Sequence, residues 1–165
     1  MIRRGIGAAV LAVAMIANRG AAQGAHPDFA GTWVLDASKS TSEPAPLPTS
    51  ATWTITTHGD TITIDRETTA PTIGTSTSHV VVATDGKPYQ NTLPIGPETV
   101  TTTSTATFDS QGLVVITTGT SQGYDFTQTD HWTLGTDGKT LTSSRVVDVG
   151  GQNVLSATLV FNRKP

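Results

Sequence analysis

The chain has 165 residues, 36% of them hydrophobic and 14% charged, which fits one folded domain with a single core and excludes a disordered chain. Ten basic against thirteen acidic residues give a formal net charge of −3, which disfavours nucleic acid and anionic membrane as partners because both need clustered Lys and Arg. With no cysteine, a disulfide framework, a thiol nucleophile and a lipid-accepting cysteine are all excluded.

In chain order, residues 1–25 read as a secretory signal peptide. Arg3 and Arg4 precede an apolar run from Ile6 to Ala17, and Ala21-Ala22-Gln23-Gly24-Ala25 supplies the small residues that a signal peptidase accepts. The run is short for a membrane span. This segment predicts export to the periplasm or the medium, and a mature domain over 26–165 that does not span a membrane. Arg3, Arg4 and Arg19 would leave with it, making the mature chain more acidic still.

Beyond residue 30 no helix-period segment of useful length occurs. Ser42 to Thr49, with Pro44, Pro46 and Pro48, predicts a loop over one end. Runs of Thr, Val and Ile with period-two alternation follow. They are punctuated by turn signals at His58-Gly59-Asp60, Asp85-Gly86-Lys87-Pro88, Asp109 to Gly112, Gln122-Gly123, Asp137-Gly138-Lys139 and Gly150-Gly151. Short antiparallel strands joined by tight turns make a meander and predict an all-β, up-and-down antiparallel barrel of about eight to ten strands, and a monomer.

Register follows from the turns, because opposed residues in a hairpin sum to a constant and one face must stay consistent. Centring the Asp137-Gly138 loop sets Leu134 opposite Leu141, Trp132 opposite Ser143 and Asp130 opposite Arg145. A three-residue turn at Gly150 to Gln152 adds Leu155, Ala157, Leu159 and Phe161 to the same face, and the Asp109 to Gly112 turn sets Phe108 beside Leu113 and Ala106 beside Val115. The other face carries Thr99, Thr101, Thr103, Thr105 and Thr107, β-branched hydroxyls suited to a solvated sheet surface. Val114 and Ile116 fall on that outer face too.

Phe29-Ala30-Gly31-Thr32-Trp33-Val34-Leu35 resembles the Gly-x-Trp start of the lipocalins and fatty-acid-binding proteins. More closely, Gly31 to Ser40, Asp85 to Tyr89 and Asp137 to Thr142 resemble the corresponding segments of small exported bacterial lipocalin-like (calycin-type) β-barrel proteins. The resemblance implies a barrel whose floor is built by Gly31 and Trp33, with a basic residue of the last strand, here Arg163, over the tryptophan. It implies a fold and no activity. The Arg-x-Tyr that holds a ligand carboxylate in the last strand of fatty-acid-binding proteins is replaced here by Phe161-Asn162-Arg163, so that site does not carry over.

In this register Thr102, Ser104, Thr117, Gly119, Gln128, Asp130, Ser143 and Arg145 face inward among the apolar residues. Such side chains either bond one another in a filled centre or surround a cavity. Asp130 opposite Arg145 is accordingly a structural ion pair or half of a ligand site. In the second reading Arg145 anchors an anionic or polar head group, Asp130, Gln128, Ser143, Tyr124 and Thr117 are polar neighbours, and Trp132 and Phe126 are apolar walls. The expected function is non-catalytic binding of a small amphipathic or hydrophobic molecule inside the barrel. The alternative is a protein-interaction module acting through its loops, and a third is a barrel enzyme with Asp130 as general base. No cofactor motif is legible. His26, His58, His79 and His131 lack metal-ligand spacing, and no Gly-x-Ser-x-Gly elbow or pair of glutamates supports hydrolysis.

Overall fold

The computed structural model describes residues 26–71, 73–96 and 98–165; the expected signal peptide lies outside them. The alternation of β-branched and polar residues forms one 11-stranded antiparallel sheet. Its strands are β1 (Gly31–Leu35), β2 (Thr41–Glu43), β3 (Ser50–His58), β4 (Thr61–Ala70), β5 (Gly74–Ala83), β6 (Tyr89–Ile95), β7 (Glu98–Phe108), β8 (Leu113–Ser121), β9 (Tyr124–Leu134), β10 (Thr140–Val149) and β11 (Gln152–Arg163). The order β5-β4-β3-β1-β11-β10-β9-β8-β7-β6, with β2 beside β11, is an up-and-down barrel as the turns predict.

Strands β1 and β2 are two pieces of one strand along β11, since Leu35 pairs with Phe161 and Thr41 with Thr158. A single 3-10 turn, Ala37–Lys39, interrupts them. Asp36 organises that turn: its carboxylate accepts from Ser38 Oγ at 2.6 Å and Asn162 Nδ2 at 3.2 Å, and pairs with Lys39 Nζ at 3.0 Å. Those bonds, Ser38's foremost, hold its carboxyl well below the usual range. The buried Ser40 hydroxyl then accepts from Val160 N at 2.9 Å and donates to Asp36 O at 2.8 Å, so it carries a ladder bond across the interruption. The Leu-Asp-x-x-Lys-Ser segment is thus a device for breaking a strand without leaving its neighbour. It also corrects the expected loop boundary, because Ser42 and Glu43 belong to β2 and the proline-rich loop begins at Pro44.

The register expected for the later strands is the observed one: Asp130 pairs with Arg145, Trp132 with Ser143, Leu134 with Leu141, Ala106 with Val115 and Phe108 with Leu113. The β10–β11 turn differs. Val149 pairs with Gln152 across a two-residue Gly150-Gly151 turn, and a bulge at Val147/Asp148 opposite Val154 restores Val147 to Leu155. The extra residue sits in the bulge rather than in the turn, and the inner face is unchanged.

The core fills one end of the barrel. Trp33, Trp53, Trp132, Phe29, Phe161, Leu113 and Leu141 are buried there, with the Trp53 ring tilted against both of its neighbours, 4.3 Å from Phe161 and 5.4 Å from Trp132 between ring centroids. Full burial of such side chains is worth about 1.5–3 kcal/mol each. The proline-rich loop sends Leu47 inward against this core.

The barrel is not hydrogen-bonded all the way round. Among the described residues no backbone ladder joins β5 to β6. Asn91 on β6 spans the seam, accepting from Val81 N at 2.8 Å through Oδ1 and donating to Val81 O at 2.9 Å through Nδ2. A side-chain amide here substitutes for one residue of backbone ladder.

Candidate functional site

Strand β9 measures the depth of the barrel, because its inward residues follow one another at steps of about 7 Å. Phe126 lies uppermost, then Gln128, Asp130, Trp132 and Leu134, which is an apolar rim, a polar centre and an aromatic floor.

At the upper end is a cavity of about 630 Å³. Phe126, Val147, Leu155, Ile95 and Ile73 supply most of its apolar wall, Tyr124 its rim and Gln128 its base. Ile73 and Tyr124 are 61% and 66% exposed, so the entrance is itself apolar. Gly119 makes room for Phe126: a Cβ built there would stand 2.9 Å from two ring carbons. A larger depression of about 880 Å³ on the outer face runs along Thr99, Thr101, Thr103, Thr118 and Thr120. It is a solvated surface lined mostly by threonine and acidic side chains, with Val100 and Phe126 as its large apolar lining residues.

Beneath the cavity, Asp130 is fully buried and accepts from Arg145 Nε at 2.7 Å, Ser143 Oγ at 3.2 Å and Gln128 Nε2 at 2.6 Å. Burial works to raise its pKa. The Arg145 and Arg66 charges and the hydrogen bonds from Arg145 and Gln128 outweigh burial and hold the carboxyl below its ordinary value. An ionised, fully engaged carboxylate is a poor general base.

Arg66 is the functional group that the sequence reading passed over. Strand β4 places it opposite Trp53, and its guanidinium carbon lies 4.7 Å from the Trp53 ring centroid. Its signal was the alternation Ile62, Ile64, Arg66, which continues one inner face through the charged run Asp65-Arg66-Glu67.

The structure divides the residues singled out from the sequence among several levels. Tyr124, Phe126 and Gln128 line the cavity, and Asp130, Ser143 and Arg145 form the layer below. Trp132 is no cavity wall, being one step deeper on β9 and locked in the aromatic floor. Thr117, the ladder partner of Gln128 on the neighbouring strand β8, is buried and bonded to Ser104 at 2.9 Å, and does not line the cavity either. At the floor, Arg163 lies 4.4 Å from the Trp33 ring centroid and donates to Ala30 O at 2.7 Å and Gly138 O at 2.9 Å.

No protein-family model matches the chain, and no curated protein does. A solved structure, the zebrafish ileal bile acid-binding protein complexed with cholic acid, is similar to it at TM-score 0.46 and 13% sequence identity, over 82% of this chain and 98% of that one. No residue or ligand of that protein is carried over here.

Proposed function

We propose that this protein is an exported, non-catalytic binding protein that takes one small amphipathic molecule into the upper half of its barrel. The observation that carries the reading is the cavity of about 630 Å³, walled by Phe126, Val147, Leu155 and Ile95 and closed below by the polar side chain of Gln128. An apolar wall over a polar base suits a molecule with an apolar body and a polar end. Export rests on the character of residues 1–25, and the periplasm or the medium is the proposed location.

Native mass spectrometry of the protein purified from its own host, followed by extraction, tests this directly. A small molecule retained at one copy per chain is the expected result. A barrel that is empty from its host and also fails to enhance the emission of the neutral probe N-phenyl-1-naphthylamine rejects the proposal.

A second reading has one observation in its favour, the exposure of Ile73 and Tyr124 at the rim. As a protein-interaction module the chain would present those residues to a partner, and substituting both with serine would abolish a pull-down without altering uptake of the neutral probe.

A further inference from the structure

The polar layer beneath the cavity holds more positive than negative charge. Arg66 and Arg145 both enter it, and Asp130 is the one acid among the buried polar side chains of the described residues. Burial, then the neighbouring Arg145, pushes the Arg66 pKa down to about 10, against the pull of Asp130, so Arg66 is still cationic at neutral pH. The carboxylate already receives three donors, from Arg145, Ser143 and Gln128. A carboxylate offers about four acceptor sites in all, so about one remains, too few for the other N–H groups of both guanidiniums.

Two buried donors are left over as a result. Arg66 Nε and Arg145 Nη2 are both shielded from solvent and have no hydrogen-bond partner among the described residues. Unpartnered N–H groups on a charged, buried side chain are costly, and surplus charge in an interior is costlier. Both costs are relieved by one further anion. Both arginines belong to the layer directly beneath the cavity: Arg145 is one inward step below Val147, which lines it, and Gln128, the cavity base, donates to the same Asp130, so a head group would reach them past the Gln128 side chain.

We infer that Arg66 and Arg145 together receive a singly charged oxyanion, such as a carboxylate, and that this is the polar end of the molecule held in the cavity above. The inference rests on the proposed ligand-binding function and adds the class of head group. A single surplus charge matches a monoanion, and guanidinium N–H groups match the planar geometry of a carboxylate. A neutral or cationic head group would leave the surplus in place.

Displacement of N-phenyl-1-naphthylamine by decanoate, decanol and decylammonium, with acetate as a fourth competitor, tests it. Decanoate should displace the probe at concentrations about tenfold or more below those of decanol and decylammonium. Arg66→Met should bring the decanoate-to-decanol ratio close to one, and Arg66→Lys, which keeps the charge, should retain part of the preference. The wild-type comparison stands even if a variant fails to fold. Equal displacement by decanoate and decanol overturns the anion inference and leaves the cavity reading intact. If the probe and every decyl compound fail to enter, the cavity reading fails and takes the inference with it. Binding of acetate as tight as that of decanoate, read by isothermal titration calorimetry, overturns the claim that the anion is the head of an amphiphile.

Discussion

Arg163 and Trp33 hold the first and last strands together: the guanidinium carbon stands 4.4 Å from the indole centroid, while Gly31, two residues before the tryptophan, lies directly against Arg163 Nη1. Gly31 has a φ of 137°, and a Cβ there would come within 3.0 Å of that nitrogen. Glycine is therefore required twice over in Gly-x-Trp, for the backbone and for the arginine. Gly31→Ala should destabilise by about 1–3 kcal/mol, and Arg163→Met by about 2–3 kcal/mol through loss of the cation–π contact and charge-assisted bonds. Urea unfolding measures both, and a Gly31→Ala midpoint equal to that of the wild type would sink the argument.

Asp130 and Arg145 are unequal partners. Removing the carboxylate strands two guanidinium groups, whereas removing Arg145 leaves Asp130 facing Arg66 with its bonds to Gln128 and Ser143 intact. Asp130→Asn should cost about 3–5 kcal/mol, the range for breaking a buried pair, and Arg145→Met distinctly less. Equal losses in denaturant unfolding would show that Arg66 does not interact with this carboxylate.

Acid should expose the same interaction. The folded-state pKa of Asp130 lies below its ordinary 3.8, so its contribution is complete above that value and is lost as pH falls through the lower, folded one. Comparing wild type with Asp130→Asn from neutral pH down to about pH 2, their difference in stability should be constant above about pH 4 and shrink below it. A difference that grows on acidification would contradict the sign of the shift.

Gly119→Ala should reshape the cavity more than it weakens the fold. The new Cβ meets the far edge of the Phe126 ring at 2.9 Å, and that ring has the cavity beside it to turn into. About 1 kcal/mol of stability is expected to go, at the low end for overpacking, together with a clear loss of affinity for the neutral naphthylamine probe. Unchanged probe affinity would mean that the Phe126 ring does not shape the cavity.

The seam between β5 and β6 depends on Asn91. Asn91→Leu keeps the volume but removes both bonds to Val81, at an expected cost of about 1–3 kcal/mol. Hydrogen exchange locates the effect: the Val81 amide should lose protection while the amides of β9 and β10 keep theirs. Uniform loss along the chain would indicate global unfolding instead.

Local chemistry was enough for much of this molecule. Period two assigned the inward and outward residues of β7 to β11, because a strand has two faces and a slip of one residue would have buried the threonines of β7. The turn residues centre the hairpins, which is why Asp130 opposite Arg145 is legible in the sequence alone. The motif segments were legible as structure because each acts within a few residues: in both Asp-Gly-Lys turns the aspartate accepts from the lysine amide, at 3.0 Å for Asp85 and 2.9 Å for Asp137. What closure decides is of another kind. The two arginines come from β4 and β10, 79 positions apart as numbered, and only the curvature of the sheet brings both toward one carboxylate. Nothing local announces that Asn91 will stand in for a backbone ladder, or that the space above Gln128 stays open while Thr117 and Ser104, on the next two strands, bond to each other. Alternation tells a side chain which face it occupies; which side chain it meets across the barrel depends on strand tilt and stagger, which are properties of the closed sheet.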